Sequence, residues 1–140
     1  YPKQPSICNC MNVRRASRAV TQFYDEQLKS CGITIAQLSL LLRLQETDAL
    51  TISQLAQSMR IDRTTLNRNM KPLLENGLIT LQQGKDSRTK LVSLTVQGRK
   101  TATQGWACWG KAQELLTTYL GNEDLAKLTS LLNKLEALAP

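Results

Sequence analysis

Apolar and polar positions alternate along this 140-residue chain with a period that is helical almost throughout and extended in one short stretch. A first helix is expected from about Ile7 to Lys29, with Val13, Ala16, Val20, Phe23, Tyr24 and Leu28 on one side and Cys31 and Gly32 ending it. A second begins near Thr34 and carries Leu38, Leu41, Leu42 and Gln45. The segment Thr51 to Met59 places Ile52, Leu55, Ala56 and Met59 at helical spacing, with Ser53 expected as its cap. Arg60 and Ile61 join it to a fourth helix that Asp62 caps, that buries Leu66, Met70, Leu73 and Leu74, and that stops at Asn76 and Gly77. The period then changes: Leu78 to Gln82 and Leu91 to Thr95 read as strands around a turn-forming stretch, Gln83 to Lys90. Two helices close the chain. One runs from about Val96 to Leu120 with Ala102, Trp106, Trp109, Leu116 and Leu120 near one face. After a break at Gly121 and Asn122, the other carries Leu125, Leu128, Leu132 and Leu135, with Leu131 and Leu138 widening its stripe. The fold class expected is mainly α with a small β-hairpin.

The fourth helix is the most informative element. Its apolar side faces a core, and its remaining side offers Arg63, Thr64, Thr65, Asn67, Arg68 and Lys71. Arginine pairs well with guanine, asparagine with adenine, and threonine with bases or backbone. Paired with the helix before it, this is a helix-turn-helix whose second member suits the major groove of DNA. The hairpin after it is a wing whose tip carries Lys85, Arg88 and Lys90, placed to reach phosphates or the minor groove. Asp86, the one acid at that tip, is expected to pair with Arg88 and hold its shape.

Charge sharpens this picture. The net charge is +7, and it is unevenly spread: residues 1–50 carry +2, residues 51–100 carry +6, and residues 101–140 carry −1. A charge run alone is equally well a solvated surface, but this one coincides with the helix-turn-helix and wing. Aromatic residues make up only 4%, so the core must be built from aliphatic side chains, the usual filling of helices. The longest apolar run, Leu38 to Leu44, is interrupted by Ser39 and Arg43 and is too short to span a bilayer. With no evident leader sequence, although the chain starts at Tyr1, a cytoplasmic location is the default expectation.

The chain contains no histidine, which removes His-based metal sites, Cys/His pairs and Ser-His-Asp triads. The four cysteines do not form the paired frames of a structural zinc site. No metal, no cofactor and no catalytic activity are expected. Two readings of the cysteines stay open. Free cysteine is commonly a small buried apolar residue. Alternatively, Cys8 or Cys10, at the start of the first helix with Arg14 and Arg15 nearby, reacts with an oxidant, and Cys31 or a cysteine of a partner subunit resolves it as a disulfide. A bridge between Cys8 and Cys10 themselves is disfavoured in a regular helix. Trp106 and Trp109 likewise read either as packing or, with Tyr24 as a weaker third member, as the wall of an effector pocket.

The order of elements together with three stretches resembles the MarR family of bacterial winged-helix transcription regulators. These stretches are Leu55 to Gln57 continuing into Asp62 to Met70, then Leu74 to Ile79, and then Asp86 to Gly98. The resemblance implies a homodimer whose first and last helices form the interface. It also implies a recognition helix and wing on a palindromic operator, and release by a small molecule or an oxidant. Carried onto this chain, it implies DNA contact by Thr64, Thr65, Asn67, Arg68 and Lys71, with wing contact by Arg88. Pro72 inside the recognition helix departs from a regular helix and should bend it, since proline lacks an N–H and clashes with the carbonyl four residues back. The organisation expected is residues 1–33 as a dimerisation helix, 34–96 as a winged helix-turn-helix, and 97–140 as the remainder of the dimerisation layer. The function expected is a sequence-specific double-stranded DNA-binding repressor on a pseudo-palindromic site. The alternative is a winged-helix module that binds another protein or nucleic acid nonspecifically.

Overall fold

The computed structural model describes residues 3–86 and 88–140. Helix α1 (Asn9–Gln27) leads through a 3₁₀ turn, Lys29–Cys31, to α2 (Ile35–Gln45). Then follow strand β1 (Leu50–Thr51), α3 (Ile52–Met59), α4 (Arg63–Glu75), β2 (Ile79–Gln83), β3 (Lys90–Leu94), α5 (Val96–Leu120) and α6 (Asn122–Glu136). The helix order and the hairpin follow the sequence expectation closely, with two corrections. Leu50 and Thr51 form a short edge strand, so the sheet has three antiparallel strands in the order β1-β3-β2 rather than two. Two residues offer too little period for a sequence pattern to reveal.

The second correction concerns the cap of α3, which is Thr51 and not Ser53. The Thr51 hydroxyl accepts from the Gln54 N–H at 3.0 Å, and the Gln54 side chain accepts from the Thr51 N–H at 3.0 Å, a reciprocal capping box. Thr34 and Gln37 repeat this device at the start of α2. Both pairs fit the Thr-x-x-Gln spacing, which satisfies two orphan N–H groups at once; a cap at Ser53 would have left the first turn unpaired.

The core lies where α2, α3, α4 and the sheet meet α5. Leu38, Leu40, Leu41 and Leu44 of α2 are buried with Leu55, Leu66, Met70, Leu73, Ile79, Val92 and Ala102. Aliphatic side chains fill it throughout, as the low aromatic content requires. At the joint between wing and α5 the packing is backbone-close. Thr95 donates its hydroxyl to the Gly77 carbonyl at 2.7 Å and accepts from the Gly98 N–H at 3.0 Å. A Cβ on Gly98 would lie 2.0 Å from the Leu78 carbonyl oxygen, so only glycine fits.

Helices α1, α5 and α6 leave a large apolar surface unpartnered within one chain. Of the stripe expected on α1, only Tyr24 and Leu28 are buried, and Val13 and Val20 are exposed. No residue of α6 is buried, and Leu128, Leu131, Leu132 and Leu135 all face outward. An apolar groove of about 430 Å³ between α1 and α5 is lined by Ala19, Val20, Phe23, Leu115, Leu116 and Tyr119. Apolar surface on this scale is what a subunit interface requires. Among the described residues no helix is long and apolar enough to cross a membrane.

Candidate nucleic-acid interface

Helix α4 separates its two faces cleanly. Leu66, Met70 and Leu73 are buried, while Arg63, Thr64, Asn67, Arg68 and Lys71 are exposed. The Asp62 carboxylate caps the helix, accepting from the Thr65 N–H at 2.7 Å and from the Thr65 hydroxyl at 3.1 Å. The Thr65 amide and then its hydroxyl hold the Asp62 carboxyl below the usual aspartate range, because both stabilise its ionised form. Thr65 is half-buried, and its hydroxyl donates to Asp62, leaving the oxygen lone pairs to offer a ligand. The helix continues without interruption through Pro72 to Glu75, and Gly77, with φ of 71°, turns the chain into β2.

Before α4, the turn from α3 depends on Arg60. It takes a left-handed conformation, φ 57° and ψ 42°, which closes α3 and directs the chain into α4. Its guanidinium reaches Glu136 at the end of α6, 2.5 Å away. Sequence reading passed over this contact because 76 residues separate the partners.

Wing geometry explains the role of Asp86. Its carboxylate accepts from the backbone N–H of Arg88 at 3.1 Å, and its carbonyl accepts from the Thr89 N–H at 2.9 Å. The acid does shape the tip, but through the main chain and not through the Arg88 guanidinium that the sequence suggested. Lys85, Arg88 and Lys90 are exposed, and none of them, nor Arg63, Arg68 or Lys71, joins a salt bridge among the described residues.

A cleft of about 500 Å³ brings several of these cations together. Thr51, Ile52 and Ser53 at the start of α3 line it with Arg63 of α4 and with Arg88, Thr89 and Lys90 of the wing. Three cations from two elements thus converge on one concave surface beside a helix N-terminus, an arrangement suited to an anion such as a phosphate. The Thr51 to Ser53 side of this cleft was missed from sequence; a threonine capping box at a helix start was the available signal.

The remaining candidates fall in three places. Trp106 and Trp109 stack with ring centroids 4.5 Å apart; Trp109 packs against the core, and Trp106 is 54% exposed. Beside Trp106 lies a shallow cavity of about 380 Å³, lined also by Leu42, Gln45, Glu46 and Thr103. Neither Trp109 nor Tyr24 lines it. The Tyr24 hydroxyl donates to Gln113, and burial pushes its ionisation up.

Cys8 stands at the exposed N-cap of α1 and Cys10 in its first turn. Cys31 lies beyond the other end of that helix, about 30 Å away at 1.5 Å per residue. The expected resolution of Cys8 or Cys10 by Cys31 of the same chain is therefore excluded while α1 is intact.

A helix-turn-helix with an exposed polar recognition face, followed by a cationic wing, defines a winged-helix DNA-binding protein. Comparison with known proteins agrees. Residues 33–90 match the model of the MarR family. The organic hydroperoxide resistance transcriptional regulator of Bacillus subtilis (strain 168) is 32% identical over 129 residues, covering 88% of this chain and 83% of that protein. The uncharacterised regulator YwoH of the same organism is 31% identical over 88 residues, which span 64% of its length. Among solved structures, the transcriptional regulator MosR of M. tuberculosis in complex with DNA superposes with a TM-score of 0.80 at 31% identity, covering 95% of this chain and 99% of that one. A Cys→Ser mutant of MarR from E. coli complexed with operator DNA gives 0.78 at 25% identity, covering 91% of each. The chain belongs to the MarR family of winged helix-turn-helix transcriptional regulators: a homodimeric DNA-binding protein and not an enzyme.

Proposed function

We propose that this protein is a repressor whose dimer binds a pseudo-palindromic operator, with residues 34–96 as the DNA-binding unit and residues 1–33 and 97–140 as the dimerisation layer. The observation that carries the reading is the convergence of Arg63 with Arg88 and Lys90 in one cleft beside the exposed face of α4. On this reading Arg68 and Asn67 read base edges, Thr64 and Lys71 meet backbone or bases, and Thr65 fixes the cap. Arg63, Arg88 and Lys90 hold a phosphate in the cleft, and Lys85 adds to the field. A two-fold dimer presents two such helices to successive major grooves, half-sites about one helical turn apart.

Release from DNA follows from oxidation at Cys8 or Cys10 or from a planar ligand beside Trp106, with Trp109 stacked on that ring and both Trp109 and Tyr24 outside the cavity lining. Two observations support the oxidative route: both thiols are exposed at the start of α1, and the similar Bacillus subtilis protein is named for organic hydroperoxide resistance. A resolving thiol for them then comes from a partner subunit.

The test is competition binding at physiological salt between the promoter fragment upstream of the protein's own coding region and random duplex, with and without an organic hydroperoxide. Competitor-resistant binding that peroxide abolishes, and that a Cys8→Ser/Cys10→Ser double variant retains under peroxide, is the expected result. Equal, salt-sensitive binding to both duplexes would overturn the operator reading for that fragment. Release of the double variant by peroxide would overturn the cysteine assignment.

A further inference from the structure

Away from the DNA interface, two cysteines 77 positions apart meet. The Cys31 and Cys108 sulfurs lie 3.4 Å apart, in contact but unbonded. We propose that they form a reactive dithiol that closes to an intrachain disulfide by exchange with a low-molecular-weight disulfide, pinning the connection between α1 and α2 to the middle of α5. This pair is separate from Cys8 and Cys10, which stand at the far, N-terminal end of α1.

Geometry favours closure. A disulfide needs a sulfur separation of about 2.05 Å, so the sulfurs must approach by about 1.4 Å. Cys108 rides on the long helix α5, but Cys31 ends a single 3₁₀ turn immediately before Gly32, whose φ is 72°. A short turn followed by a glycine can shift by that amount without disrupting a helix. Both thiols are half-buried: they pack against the core and keep part of their surface in solvent. The Ser30 hydroxyl lies 3.8 Å from the Cys108 sulfur, within range to donate to it as a thiolate. Burial, and next the adjacent Cys108 thiol, push the Cys31 thiol up. Cys31, on the turn that can shift toward α5, serves as the second, resolving sulfur.

The chemistry balances without a further reactant. The Cys108 thiolate attacks one sulfur of the small disulfide; its S–S bond breaks and one small thiolate leaves, giving a mixed disulfide on Cys108. Cys31 gives its proton to solvent or to that departed thiolate. Its sulfur then attacks the Cys108 sulfur and expels the second small thiolate. Two protein thiols are oxidised, one small disulfide is reduced to two thiols, and the two protein protons end on them.

The experiment uses the full chain carrying Cys8→Ser and Cys10→Ser, reduced and then incubated with excess glutathione disulfide, quenched by alkylation and mapped by mass spectrometry. The expected product is a chain lighter by two hydrogens and not covalently linked to a second chain, with the Cys31 and Cys108 peptides joined. Its Tm should rise by about 5 °C or more, since the bond closes a loop of more than seventy residues. In the same background, Cys31→Ala should stop at the mixed disulfide on Cys108. Recovery of both thiols alkylated, a stable mixed disulfide on the chain that retains both cysteines, or linkage only between two chains would each overturn the proposal.

Discussion

Arg68 stands exposed on α4 with no ion pair among the described residues, so its full hydrogen-bonding capacity is available to a base edge. Arg68→Ala should cost about 1–3 kcal/mol on the operator and relax preference at one base pair, measured by competition against single-position operator variants. Equal losses on operator and random duplex would sink its assignment as a reader. Lys85→Ala should weaken all sequences alike and reduce the salt slope by about one charge, because a wing-tip lysine contributes field and not a base contact. Asp62 acts differently, through helix geometry. Its carboxyl titrates below the ordinary aspartate value, so its capping contribution is fully present above that value, about pH 3.9. The contribution disappears as pH falls through the lowered value of the folded state. In an acid titration followed by NMR, the Thr65 amide should lose its shift only below about pH 3.9; loss at a higher pH would contradict the cap. Asp62→Asn keeps an acceptor that does not titrate and should remove that pH dependence.

Elements here begin and end through small local devices. Thr51→Ala breaks the capping box of α3 and should lower stability by about 0.5–2 kcal/mol, read by urea unfolding, whereas Ser53→Ala should change little. This pair of variants tests the corrected cap directly. Gly98 is more demanding, since a methyl group there meets the Leu78 carbonyl oxygen at 2.0 Å, and backbone cannot turn aside as a side chain can. Gly98→Ala should therefore cost at least about 1–3 kcal/mol and displace the wing relative to α5. A thermal melt indistinguishable from wild type would refute that close approach.

At the scale of the molecule, α1, α5 and α6 keep apolar residues exposed among the described residues, and the proposed dimer buries them. Leu132→Asp places a charge on the exposed stripe of α6 and should shift the protein toward monomer by light scattering. Operator affinity should fall with it, because each protomer then carries one recognition helix instead of two tethered ones. Retention of the dimer would place the interface elsewhere.

Much of this protein is legible along the chain because its defining devices are local. Leu66, Met70 and Leu73 share a face by helical period alone; Asp62 caps by its position, and Asn76 with Gly77 ends the helix. The wing likewise appears as a change of period next to turn residues. What the sequence could not decide depends on residues distant in number and near in space. The cap of α3 and the two-residue strand β1 were matters of one hydrogen-bonding pattern over another. Arg60 meeting Glu136, Tyr24 meeting Gln113, and the cleft joining Arg63 to Arg88 all required the chain to fold back on itself. The cysteines show the division most plainly. Sequence drew attention to Cys8 and Cys10 because they sit at a helix start near Arg14 and Arg15, but packing brings Cys31 to Cys108 across 77 residues and leaves it a helix length from the other two. Period and capping are written in nearest neighbours, whereas contacts between elements are decided only when each helix buries its apolar face against another.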